Sequence, residues 1–298
     1  MGGVGFLIQC LNAVQYGLLL FLVASGLTLV FGAMGVINLA HGSFYMVGAY
    51  LAYALAPWIG AHVQIGSLHG GFFATLAVGL LLSIAFGYAL EWAFFSLLYE
   101  REHLQQVLMT YALILVLEEL RSVLVGDDVH GVPVPAWLAG AVPIGGLLTY
   151  PVYRLFLSGV CLLVALGLYL LLSRTRLGMA IRAGASNREM TQALGLDIRL
   201  LNRLVFAGGV ALAVLAGMLA APVSSVYPGM DGQVLILSFV VVVIGGIGSV
   251  RGAFVAALLV GAVDAFGAVF FPQAAGVLVY VVMAAVLLLK PEGLFRHA

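Results

Sequence analysis

The feature that most constrains this chain is a series of nine apolar stretches, at residues 6–31, 36–56, 71–99, 104–125, 152–173, 201–222, 232–247, 251–271 and 274–290. A spanning helix needs roughly 20 predominantly apolar residues. Most of the stretches meet that length, and 232–247 is short enough to be a tilted span or a re-entrant element. Only 8% of the residues are charged, against about 25% in a soluble globular domain. So few charges cannot cover a water-facing surface, whereas lipid tails solvate an apolar one. The expected fold is an all-α integral membrane protein of about nine transmembrane or re-entrant helices. Little chain remains for anything else, so residues 1–298 read as a single transmembrane domain.

Composition removes several function classes. A formal net charge of +0 leaves no electrostatic footprint for nucleic acid. Cys10 and Cys161 both sit in apolar runs and read as small core residues. The N-terminus, Met1-Gly2-Gly3-Val4-Gly5-Phe6, lacks the basic region of a cleaved signal peptide. It also has Phe6 where a myristoylation pattern needs Ser or Thr.

Basic residues set the expected orientation, because cytoplasmic loops carry the excess of Lys and Arg. Arg174, Arg176, Arg182, Arg188, Arg199 and Arg203 fall in or beside the one long polar loop, 174–200. With nine crossings, Arg101, Arg251, Lys290 and Arg296 share its side, and of the 12 basic residues only Arg121 and Arg154 do not. The expectation is an outside N-terminus and a cytoplasmic C-terminus, with outer loops at 57–70, 126–151, 223–231 and 272–273. Four prolines in 126–151 disfavour a long helix there. Trp58, Tyr99, Trp137, Tyr150, Tyr153 and Tyr227 lie near predicted span ends and read as an interfacial aromatic belt.

Two places in the chain echo each other. Val30-Phe31-Gly32-Ala33-Met34-Gly35 leads into Ala40-His41-Gly42-Ser43-Phe44, and Val243-Ile244-Gly245-Gly246-Ile247-Gly248 leads into Val250-Arg251-Gly252-Ala253-Phe254. Glycine-interrupted helices at matching positions point to a repeat of the kind found in transporters. In a chain with 38 glycines, coincidence is the competing reading.

The loop 174–200 carries the sharpest local signal. Ser186 and Glu189 have capping-box spacing, and Gly195 is placed to end a helix in the left-handed conformation. A two-turn helix over 187–194 follows. Helices this short are marginal alone in water. It is either a capped connecting turn or a coupling helix seated on a cytoplasmic partner.

Arg174-Thr175-Arg176-Leu177-Gly178-Met179-Ala180-Ile181-Arg182-Ala183 followed by Ala193-Leu194-Gly195-Leu196-Asp197 resembles the cytoplasmic loop of the branched-chain amino acid ABC importer permeases. Gly26 to Gly42 is similar to the signature of that family's H-type subunit, as are Ser238 to Phe254 and the ending Lys290-Pro291-Glu292-Gly293-Leu294-Phe295. The resemblance covers essentially the whole chain. It implies a bacterial inner-membrane location, a second homologous permease subunit, two cytoplasmic ATPase subunits and a periplasmic solute-binding protein. The sequence carries no Gly-x-x-x-x-Gly-Lys-Ser/Thr phosphate loop. ATP is therefore expected on the partner subunits, with no cofactor on this chain and no enzymatic activity of its own.

Under that resemblance, Ser186, Asn187, Arg188, Glu189, Gln192, Leu194 and Gly195 are the expected coupling contacts. Asn38, His41, Gly42, Ser43, Gly245, Gly246, Gly248 and Asp264 are the candidates for the pathway or its helix breaks. Polar groups at membrane depth are usually functional or packed on protein. A lone His is more often satisfied core packing, and Gly32, Gly35 and Gly42 most simply allow bends and close helix approach. Glu91, Glu118, Glu119 and Arg121 also fall in apolar segments; Glu118 and Arg121, three apart, can pair on one face. No catalytic or metal-binding spacing is present. The expected function is import of branched-chain or related small amino acids. Urea, short amides or a sugar are alternative cargoes, and a self-contained ion-coupled transporter is the alternative mechanism.

Overall fold

The computed structural model describes residues 3–62, 70–99, 101–144 and 148–295. All nine apolar stretches are helices: α1 (Gly3–Met34), α2 (His41–His62), α3 (Gly70–Ala93), α4 (His103–Val125), α5 (Val152–Arg174), α8 (Ile198–Ala220), α9 (Met230–Gly245), α10 (Val250–Phe270) and α11 (Ala275–Leu289). Between α5 and α8 lie two short helices, α6 (Arg176–Ser186) and α7 (Arg188–Ala193). Among the described residues, five helices (α1, α3, α5, α8 and α10) are long and apolar enough to cross a membrane, while α9 and α11 are shorter apolar helices. The all-α membrane architecture stands. Arg296 and residues 63–69 of the expected outer loop lie outside the described residues.

Polar contacts tie alternate helix ends together. At one end, Arg188 of α7 meets Met34 of α1, Arg203 of α8 meets Glu91 of α3, and the Arg251 guanidinium of α10 lies 5.4 Å from the Tyr169 ring centre of α5. At the other, Gln9 of α1 meets Ala265 of α10, Arg154 of α5 meets Asn12 of α1 (2.9 Å), and Tyr153 of α5 meets Leu219 of α8 (2.8 Å). Among the described residues, the loop arginines thus gather at one end, called here the basic end. Arg121 and Arg154 sit at the opposite end.

The centre is built from α1 and α8, both buried over most of their length, with α2, α3 and α10 packed on them. Small residues permit this. A Cβ added at Gly217 of α8 would strike the Tyr45 and Ala49 backbone of α2, and one at Gly261 of α10 would strike α1 at Gly17. Without a hydrophobic drive between helices in lipid, such close approach supplies the packing energy. Helices α4, α5 and α11 have few buried residues and form the apolar periphery.

The expected Glu118–Arg121 pair does not form. Arg121 instead donates to the Gly126 carbonyl at 2.7 Å and pairs with Asp127 at 2.9 Å, where α4 ends and the chain turns back over it. That hydrogen bond holds the Asp127 carboxyl below its ordinary range. Beyond it, the proline-rich loop forms strands β1 (Ala141–Ile144) and β2 (Leu148–Pro151), paired antiparallel with Ala141 opposite Pro151. His130 pairs backbone to backbone with Val226 and stacks on Tyr53 of α2, 4.3 Å between ring centres. Of the expected aromatic belt, Trp58 is exposed and Tyr227 is half-buried, its hydroxyl donating to Gln233 at 3.1 Å. Tyr150 and Tyr153 are buried, Trp137 packs against Phe73 and Phe156, and Tyr99 turns inward to Glu91.

Candidate functional site: two glycine breaks and the helix between them

Helix α1 has 32 residues, about 48 Å at the usual rise, well beyond a hydrocarbon core of roughly 30 Å. It ends at Met34, and Gly35 turns the chain with φ +67°, a conformation that favours glycine. Residues 35–40 then run back along α1 without helical structure. Their destination is fixed by His41, whose Nε2 lies 2.9 Å from the Val23 carbonyl. Val23 is 11 residues before Met34, about 16 Å of helix axis, a distance six extended residues can cover. Bare backbone at this depth is tolerated only inside protein. Accordingly Val36, Asn38, Ala40 and His41 are all fully covered. Asn38 Oδ1 accepts the Ala40 N–H at 3.1 Å and closes the turn into α2. The expected segment 36–56 thus begins five residues late, because burial against α1, not local propensity, decides the path.

The first turn of α2 meets the first turn of α9. Ser43 donates to Asp231 Oδ2 at 3.0 Å, and a Cβ at Gly42 would collide with the Asp231 backbone. Asp231 is only 4% exposed and makes no ion pair among the described residues. Its carboxyl accepts the Ser43 hydroxyl and lies in the first turn of α9, at the positive end of that helix. Asn38, His41, Gly42 and Ser43 are therefore brought together as one buried polar layer, with Asp231 as a fifth member that the sequence reading had placed in an outer loop. Its signal was Gly229 followed by an acidic residue in a first turn. Asp264 is not part of this layer. It is partly buried in α10, next to Ala265, which Gln9 contacts. Gln9 and Val23 are 14 residues apart on α1, about 21 Å.

The second break, 246–249, sits at the basic end. Gly246 and Gly248 have φ +95° and +79°. Gly245 and Gly252 approach so closely that neither could carry a Cβ without displacing backbone. Ser249 caps α10 by accepting the Gly252 N–H at 3.1 Å. The two breaks touch: a Cβ at Gly32 would lie 2.8 Å from Gly248 Cα. The sequence echo thus corresponds to two helix interruptions packed against each other, with α1 against α10 and α2 against α9.

Helix α7 stands at this junction. Its cap is Asn187, whose Oδ1 accepts the Met190 N–H at 2.9 Å. The expected capping box from Ser186 to Glu189 does not form, because Ser186 is still helical as the last residue of α6. The helix therefore covers 188–193, not 187–194. Leu194 follows as its cap, and Gly195 adopts the expected left-handed turn at φ +85°. Thr191 is buried against the bundle, while Glu189, Met190, Gln192 and Leu194 are exposed. Helix α6, unforeseen, is signalled by Thr175, which accepts the Gly178 N–H at 3.1 Å, and by the absence of Cβ at Gly178 where α6 lies on the α5 backbone.

Arg188 connects this surface to the first break. Its guanidinium donates to the Met34 carbonyl and, at 3.3 Å, to that of Ala33. These are among the last carbonyls of α1, which have no partner within the helix. A cation there also complements the negative end of the helix dipole.

A family model described as branched-chain amino acid transport system / permease component matches residues 9–289. The chain is 33% identical to the high-affinity branched-chain amino acid transport system permease protein BraD of Pseudomonas aeruginosa, over 97% of this chain and 95% of that protein. It is 27% identical to the permease protein LivH of Escherichia coli K12 over the same shares. It is 28% identical to a probable LivH of Methanocaldococcus jannaschii, over 95% of this chain and 90% of that protein. The chain therefore belongs to the branched-chain amino acid transport system permease family.

Proposed function

We propose that this chain is the membrane permease subunit of an ABC importer that moves branched-chain amino acids into the cytoplasm. The observation that carries the reading is α7: a capped short helix, exposed on one side, whose Arg188 holds the end of α1. Its exposed Met190 and Leu194 lie four residues apart and share a face. Such a face on a helix too short to stand alone suits a groove in an ATPase subunit. The basic end then faces the cytoplasm of a bacterial inner membrane, in accord with its arginines. The apolar periphery of α4, α5 and α11 is available for lipid and a second homologous permease, and the β1–β2 end for a periplasmic binding protein. In this reading ATP is bound and hydrolysed by the partner subunits. Ser186, Asn187, Arg188, Glu189, Gln192, Leu194 and Gly195 form or shape the coupling element. The layer of Asn38, His41, Gly42, Ser43 and Asp231 belongs to the moving break, and Gly245, Gly246 and Gly248 form the fixed break it moves against.

The test is reconstitution of the chain in proteoliposomes with a second permease subunit, the ATPase pair and the binding protein encoded beside it. Uptake of leucine, isoleucine or valine that requires ATP and the binding protein supports the reading. Uptake by this chain alone, driven by an ion gradient, overturns it.

A further inference from the structure

A cavity of about 600 Å³ opens at the basic end between the last turn of α3, the 3-10 turn Phe95–Leu97 and the first turns of α8. That volume falls in the range of small-ligand sites. Its lining combines Trp92, Ser96, Leu97 and Tyr99 with Arg199 and Arg203. The two arginines are four apart on α8 and share a face.

Their charges are used differently. Arg203 Nε donates to the fully buried Glu91 at 3.1 Å, and the Tyr99 hydroxyl donates to the other Glu91 oxygen at 2.5 Å. The floor of the cavity is thus an electrically balanced trio. Arg199 is exposed and has no ion pair among the described residues. Asp197, two residues earlier, is engaged in accepting the backbone N–H groups of Arg199 and Leu200. Among the described residues, the cavity therefore carries one cation without an ion pair over a neutralised floor, and the Ser96 hydroxyl in its lining donates to the Trp92 carbonyl at 2.7 Å. Of its lining, Trp92 and Leu97 are exposed, Leu97 at 71%, and Leu200 and Leu204, each next in sequence to a lining arginine of α8, are exposed as well. A cation in a pocket at the end of apolar helices, rimmed by exposed apolar side chains, matches a ligand with a negative head and an apolar body.

We propose that this cavity is a binding site for the phosphate headgroup of an anionic phospholipid. The phosphate sits on Arg199 and the acyl chains lie along Trp92, Leu97, Leu200 and Leu204. Basic pockets between helices at a membrane surface recognise lipid headgroups by this chemistry. The site would anchor the start of α8, which begins at Ile198, five residues after the end of α7 at Ala193.

The full chain, purified in neutral detergent, is titrated with phosphatidylglycerol, phosphatidylcholine or inorganic phosphate, and bound lipid is counted by native mass spectrometry. The expected result is selective retention of phosphatidylglycerol, weakened about five-fold in Arg199→Gln, the worth of one surface cation, and kept in Arg199→Lys. An unchanged melting temperature of Arg199→Gln shows that the loss is not unfolding. Equal retention of both lipids, or undiminished phosphatidylglycerol in Arg199→Gln, overturns the site. Displacement of phosphatidylglycerol by millimolar inorganic phosphate overturns the lipid assignment in favour of a soluble phosphate.

Discussion

At the first glycine break, the carbonyls that end α1 are held by a side chain from a different element: Arg188 of α7 on Ala33 and Met34. At the second, the carbonyls that end α9 are held by backbone from the chain's own tail. Leu294 N–H donates to the Ile244 carbonyl at 2.8 Å, and Phe295 N–H to that of Gly245 at 3.2 Å. Gly293, at φ +81°, lies so close to the break that a Cβ on it would fall 2.6 Å from the Gly246 Cα. The same problem, a helix ending inside the bundle with unpaired carbonyls, is thus solved twice. One solution is a single long side chain carried by a helix that is exposed on its other side. The other is fixed main chain. Two interruptions that look alike in sequence differ in who controls them. Under the proposed function, the first break would follow movement of α7, while the second would serve as the surface it moves against.

Removing the Arg188 contact is the strongest way to break this comparison. A charge-assisted hydrogen bond contributes about 1.5–3 kcal/mol. Arg188→Ala should therefore lower substrate moved per ATP hydrolysed by roughly ten-fold or more, with the complex still assembled. Simultaneous measurement of uptake and phosphate release in proteoliposomes reads this ratio; an unchanged ratio removes α7 from control of the first break. Deleting everything after Lys290 attacks the other side. Two neutral backbone bonds at α9 would be lost, about 1–3 kcal/mol in all, seen as a lower melting temperature. The surviving complexes should keep their ratio of uptake to hydrolysis.

A smaller effect separates the observed cap from the expected one. Asn187→Ala should weaken α7 by about 1 kcal/mol and reduce coupling several-fold, whereas Ser186→Ala should do nothing measurable to α7. Circular dichroism is too coarse for six residues, so the same uptake-to-hydrolysis ratio is the readout. A reversed ranking would restore the capping box. The smallest effect lies away from both breaks. The Asp127 carboxyl is held low by Arg121, so its contribution is present above the ordinary carboxylate pKa and is lost as pH falls through the lowered value. Melting temperature should be flat from pH 7 to about 5, and the Asp127-dependent part should vanish only below about 4. The difference between wild type and Asp127→Asn across that range measures it.

Much of this was legible in the sequence because the cause is local. Each of the nine apolar runs became a helix, since in lipid the backbone must satisfy itself within the segment. Gly195 and the two glycine breaks were visible because positive φ selects glycine. What escaped is decided by contacts between distant residues. Residues 36–40 are apolar enough to join α2, yet they lie extended because α1 covers them and Val23 receives His41. Asp231 looked like a loop residue until α9 turned inward beneath Ser43. Ser186 and Asn187 both suit a cap, and the choice fell to Asn187 because α6 runs through Ser186. Glu118 and Arg121 had helical spacing, but Asp127 beyond the end of α4 competed successfully for the guanidinium.

The most direct test of the central claim is amide hydrogen exchange, followed by mass spectrometry, over residues 35–41 and 246–249 in wild type and in Arg188→Ala. If α7 holds the first break and the tail holds the second, exchange should accelerate in 35–41 and stay unchanged in 246–249. Equal acceleration of both breaks, or of neither, would contradict it.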